Sequence, residues 1–105
     1  MLEVILEDLK NQKEVRKNLI QMKELLKDEE TRKELSELSA GNSIFLEFLN
    51  DEDPKVRKNA ALILGMTGNQ EMLPALVQAY EKEKTLFVKS DYVKAMQKLD
   101  CTDYL

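Results

Sequence analysis

Displaced against itself by 32 residues, the second half of this chain meets its own apolar pattern. Ile44 falls on Leu76, Phe45 on Val77, Phe48 on Tyr80, Val56 on Val88, Ile63 on Ala95 and Leu64 on Met96. The basic position after the valine repeats as well, Arg57 on Lys89. A less regular copy opens the chain. There VILEDLK (4–10) answers IFLEFLN (44–50), and with one residue deleted Val15–Asn18 repeats the VRKN of Val56–Asn59. A fixed period of this length, written in two amphipathic halves, is that of helical hairpins stacked into a solenoid. Each hairpin then buries its apolar flank on the next.

The local signals are helical throughout. Leu2, Ile5, Leu6 and Leu9 fall at i, i+3, i+4 and i+7, one stripe of a short helix over Met1–Lys10. A second helix is expected from about Gln12 to Lys27, with Val15, Leu19, Met22 and Leu26 on one face. A short helix should follow from Asp28, with Thr31 and Glu34 at capping-box spacing. It should bury Leu35 and Leu38 and end at Gly41, a residue suited to a left-handed terminator. Ser43–Asn50 comes next. Asp53-Pro54 is the sharpest boundary: aspartate accepts from free backbone N–H groups at an N-cap, and proline loses nothing at the first helical position. That helix should run Pro54–Thr67 and stop at Gly68. Asn69 can cap its successor, which holds Pro74 in its first turn and reaches about Lys84. A last helix spans Leu86–Leu99. No stretch alternates with period two over a strand's length. With only three glycines and two prolines in 105 residues, the chain also lacks the turns of an all-β fold.

Composition narrows the chemistry. Histidine is absent and Cys101 is the single cysteine, which excludes an internal disulfide, a thiolate metal cluster and the commonest general base. There is no Gly-rich phosphate loop, no GxSxG and no zinc-type spacing. Pro54 stands where a calcium loop over Asp51–Asp53 would need its turn glycine. No catalytic, cofactor-binding or metal-binding residues are therefore assigned. The one long apolar run, Ala60–Met66, is too short to cross a bilayer. Glu3, Glu7 and Asp8 occupy the place of a signal peptide's apolar stretch. A cytoplasmic protein with no membrane contact is expected.

The segment FLEFLNDEDPKVRKNAALILGMTGNQEMLPALVQAY resembles a HEAT repeat, especially the short bacterial HEAT-like type. In that family a helix ending Leu-x-Asp is followed by a turn, then a helix opening Val-Arg and carrying Ala-Ala and Leu-Gly. Leu49, Asp51, Pro54, Val56, Arg57, Ala60, Ala61, Leu64, Gly65 and Gly68 match. The resemblance is strong over 43–100 and weak over 1–42. Tyr92 and Gln97 depart from the usual Ala and Gly, so looser packing is expected in the last hairpin. Neither the tetratricopeptide nor the ankyrin pattern is present.

The resemblance implies an all-α, right-handed α-solenoid of about three hairpins. Its units are a degenerate repeat with an extra short helix over 1–42, repeats over 43–69 and 70–100, and the start of a further repeat at 101–105. Ending mid-repeat, the chain is expected to be the N-terminal portion of a longer protein. Its N-terminal third is similar to the leader of bacterial proteins in which HEAT-like hairpins precede an RNA methyltransferase domain.

Charge divides unevenly over these units. The second helices, taken as 12–27, 54–68 and 85–100, hold eleven Lys/Arg against four Asp/Glu; the net of −4 leaves −11 for the remainder. In HEAT-like solenoids the second helices line the concave face, which makes a basic inner surface the expectation. Lys17, Lys58, Lys94 and Lys98 are its candidate binding residues. The resemblance also pairs Arg57 with Asp51 in a structural ladder. The function implied is a non-catalytic scaffold that binds a protein partner, or the remaining domains of its own chain, on that face. The alternative is an RNA-binding accessory module of a larger RNA-modifying enzyme. Alkylpurine DNA glycosylases of this type use more repeats and an aromatic cleft, which a tryptophan-free chain does not offer.

Overall fold

A computed structural model of the chain describes residues 2–37, 41–67 and 70–100. Seven α-helices are found among them: α1 Leu2–Lys10, α2 Val15–Leu25, α3 Glu29–Glu37, α4 Gly41–Phe48, α5 Pro54–Thr67, α6 Leu73–Lys82 and α7 Leu86–Asp100. A short 3-10 turn, Gln70–Met72, leads into α6. Helices this short are marginal alone in water, so packing must hold them.

The packing follows the repeat. α1 and α2, α4 and α5, and α6 and α7 are antiparallel hairpins, and the second helix of each packs on the next, α2 on α5 and α5 on α7. α3 is an insertion that packs on α4 and α5 and buries Leu35. The molecule measures 34 × 32 × 20 Å, and its least dimension is that of two helices laid face to face. This is an all-α solenoid. Among the described residues no helix is long and apolar enough to cross a membrane.

The 32-residue period is visible in the backbone. α4 and α6 begin at Gly41 and Leu73, and α5 and α7 at Pro54 and Leu86, 32 residues apart in each case. The entry turns match bond for bond. The Asp53 carbonyl accepts from Val56 and Arg57 N–H, and the Thr85 carbonyl accepts from Val88 and Lys89 N–H. Phe45 is fully buried, whereas its counterpart Val77 is 38% exposed, as befits a hairpin at the edge of the described stack.

Several boundaries differ from expectation, each for a local reason. Gln12 and Glu14 take left-handed backbone, φ 59° and 40°, so α2 cannot begin before Val15. Buried Asn18 then ties the turn down, its amide donating to the Lys13 carbonyl at 2.8 Å. α3 starts earlier than Thr31: the Asp28 carbonyl accepts from Arg32 N–H, and the Thr31 hydroxyl donates back to the Asp28 carboxylate. Gly41 opens α4 rather than ending α3. α4 closes two residues early because Leu49, Asn50 and Asp51 N–H each reach back three residues, a 3-10 finish. The terminator and cap expected at Gly68 and Asn69, burial of Leu38 and the segment 101–105 lie outside the described residues.

α5 is the centre of the stack, touching α2, α3, α4 and α7. It buries Val56, Asn59, Ala60, Ala61, Ile63, Leu64 and Gly65, which is more than one face. A Cβ built on Gly65 would lie 2.8 Å from Ala95 Cα and 3.0 Å from Ala95 Cβ. At this contact the last hairpin is not looser but closer than a side chain allows, and Tyr92, in the place of Ala60, is wholly buried. In an exposed helix Gly→Ala gains about 1 kcal/mol. Here Gly65→Ala is expected to cost about 1–3 kcal/mol instead, because the obstructing atom is backbone. Urea unfolding measures the sign, and an unchanged or raised midpoint would refute the close approach.

Candidate functional site

Two groups of side chains are set up by this stacking, one at the hairpin turns and one on the layer of second helices. At the turn into α5, the Asp51 carboxylate accepts from Asp53 N–H at 2.9 Å, and the Asp53 carboxylate accepts from Lys55 N–H at 3.0 Å. The second bond is the N-cap expected of Asp53-Pro54. Arg16, from the first VRKN copy, pairs with Asp53 across the hairpins.

Arg57, from the second copy, spans two turns. Its Nη1 donates to the Asp51 and Glu52 carbonyls at 2.8 and 3.0 Å. Its Nε and Nη2 grip the two oxygens of Glu83 at 2.8 and 2.9 Å, a bidentate fork. The charge partner of Arg57 is thus Glu83, and Asp51 takes part through its main chain while its carboxylate serves its own turn. Glu83 stands 32 residues beyond Asp51 and repeats its role, accepting from Thr85 N–H as Asp51 accepts from Asp53. The Glu83 side chain is 2% exposed. The Arg57 guanidinium holds its carboxyl below the usual range, against the opposing effect of burial. The turn thereby ends α6 at Lys82, short of Lys84. Beside this pair the buried Tyr92 hydroxyl has no hydrogen-bond partner, and burial, then the Glu83 charge, push its pKa up to about 12.

The candidate lysines are spread over the layer of second helices. Lys17 and Lys58 hold equivalent positions of the VRKN copies on α2 and α5, and Lys94 and Lys98 lie one turn apart on α7. Lys17 is exposed, 3.7 Å from Glu14. Lys58 is half-buried, its ammonium 5.9 Å from the Phe87 ring centroid. Lys94 is 3.6 Å from Asp91, and Lys98 is exposed. Sequence reasoning passed over Lys23 on α2, where burial and then the neighbouring Lys58 charge hold the ammonium pKa below its ordinary value. It passed over Phe87 too, the ring that joins Lys58 from α7.

Stacked hairpins, an arginine at the second-helix entry and an interrupted N-terminal copy all point one way, and a family model described as HEAT repeats matches residues 2–97. The chain belongs to the HEAT-repeat family. That match takes in the N-terminal third, where the resemblance by eye is weak, so α1 and α2 count as a HEAT hairpin. Comparison with curated proteins and with solved structures found no match. Within the HEAT frame Glu83 was findable from sequence by carrying Asp51 forward one period. Lys23 was not, because its setting depends on how α2 meets α5.

Glu83→Gln should destabilise the fold by about 3 kcal/mol at neutral pH, since it leaves a part-buried guanidinium without its counter-charge. The folded carboxyl titrates below the unfolded one. Its contribution is therefore full above the unfolded value of about 4.3 and is lost as pH falls through the folded value. Chemical denaturation across pH should show the gap between wild type and Glu83→Gln level at neutral pH and closing in acid; a gap that widens in acid would refute the pairing. Tyr92→Phe should be neutral or stabilising by up to about 1 kcal/mol, as it removes an unpartnered buried hydroxyl. A clear loss of melting temperature would reveal a hydrogen bond there.

Proposed function

We propose that this HEAT-repeat chain is a non-catalytic scaffold module that binds a protein partner on the face formed by α2, α5 and α7. One observation carries the reading. These helices pack side by side in a single layer, so their outward residues make one surface, and that surface holds the basic excess of an otherwise acidic chain. A rigid stack presents such a face with little ordering cost on binding. HEAT repeats generally act as protein-interaction scaffolds, which supports the same reading. The partner is a separate protein or further domains of the same polypeptide.

An RNA-binding accessory module, attached to an RNA-modifying enzyme such as a methyltransferase, would draw on the same lysines. Single-stranded nucleic acid is held on successive aromatic platforms, however, and the exposed aromatic recorded on this face is Phe87. The protein-binding reading is therefore preferred. Crosslinking in cells followed by mass spectrometry will identify what the wild-type chain holds. Reversing Lys17, Lys58, Lys94 and Lys98 to Glu together should weaken that complex about tenfold or more while the circular dichroism spectrum is kept. Retention of the complex would place the interface elsewhere. Capture of RNA with a steep salt dependence would favour the alternative.

A further inference from the structure

The carboxylates that approach Lys23 are already engaged. Glu24 lies 3.1 Å from Lys27, and Asp91 lies 3.6 Å from Lys94. Among the described residues Lys23 itself forms no ion pair, and Lys58 meets the Phe87 ring rather than an acid. Where α2, α5 and α7 adjoin, four ammonium groups (Lys23, Lys27, Lys58, Lys94) thus share two carboxylates, a local excess of two positive charges. Two of the four, Lys23 and Lys58, sit on adjacent helices and repel each other. An isolated fold would gain by losing one of them. A partner's anion placed between the two would relieve both.

The surroundings describe that partner. Ile20, one turn before Lys23, is 51% exposed, and Phe87, beneath Lys58, is 46% exposed. Apolar side chains flank the charged pair, as a segment mixing acidic with apolar residues would require. Free phosphate is better matched by fixed backbone donors or arginine forks than by two flexible lysines in a greasy rim.

We propose that Lys23 and Lys58 are the anchor of the α2–α5–α7 face, seating one carboxylate of an acidic segment whose apolar residues rest on Ile20 and Phe87. The inference deepens the protein-binding reading and rests on it. Lys23 is held in a costly setting for binding, not for the fold, and this sets the test.

Labelled short peptides are the probes: one of Asp and Glu with a Leu and a Phe, one with Lys for each acid, one with Ser for Leu and Phe, and a single-stranded oligouridine. Fluorescence anisotropy should show the first binding most tightly. Lys23→Met and Lys58→Met keep the apolar stem and remove the charge. Each should weaken that peptide about tenfold, as loss of one charge-assisted contact does, while Lys10→Met on α1 leaves it unchanged. Lys23→Met should keep or raise the melting temperature. If it unfolds the chain, the assignment of Lys23 to binding is overturned, and Lys58→Met still reads the anchor. Peptide binding that ignores both lysines but is lost in Ile20→Asp overturns the anchor and leaves the face intact. Binding that ignores all three substitutions overturns both readings. No binding by the first peptide, or tighter binding of oligouridine lost with the same lysines, overturns the acidic-segment assignment.

Discussion

No hairpin of this protein can cover its own apolar flank, and everything else in the structure follows from that. Helices of nine to fifteen residues are too short to persist alone, so each is held by the neighbour that hides it. α5 bears the most of this, buried on several sides at once between α2 and α7. Such a helix cannot tolerate bulk where it meets its neighbour. Gly65 against Ala95 is the place where two backbones approach too closely for any side chain. The repeat sets the period of the stack, and this contact sets the spacing between α5 and α7.

Polar groups hold the hairpins in register. Arg57 caps two carbonyls of its own turn and forks onto the carboxylate of the next, so one side chain records the relation between consecutive repeats. Arg16 reaches forward in the same sense, to Asp53, but in the open, where solvent and salt screen it. The two copies of one tetrapeptide thus build unequal ladders. The second is buried by α6 and α7, whereas the first lies at the edge of the loop that α3 interrupts.

The layer of second helices joins architecture to function. Its buried sides are apolar and small, which draws the helices together, and its outward side is where lysine is concentrated. Adding helices to such a layer extends one surface rather than enclosing a pocket. Recognition by a broad, charged face is what this geometry suits, and acid–base chemistry by converging side chains is not.

The sequence alone determined the helical class, the hairpin units and the entry to α5, because periodicity, capping and a repeated apolar code are written in consecutive residues. The N-terminal starts at Val15 and Gly41 were misread, since left-handed backbone at Gln12 and Glu14 and the insertion of α3 leave no mark in local composition. Of the ladder, Arg57 was legible and its partner was not. Asp51 is near in the chain, but the next hairpin brings Glu83 to the guanidinium and leaves Asp51 bound to its own turn. Lys23 shows the same division most clearly. A lysine on an amphipathic helix is unremarkable until a second helix lays another lysine beside it and removes the water from both. Only tertiary packing decides which charges meet and how dry their meeting place is.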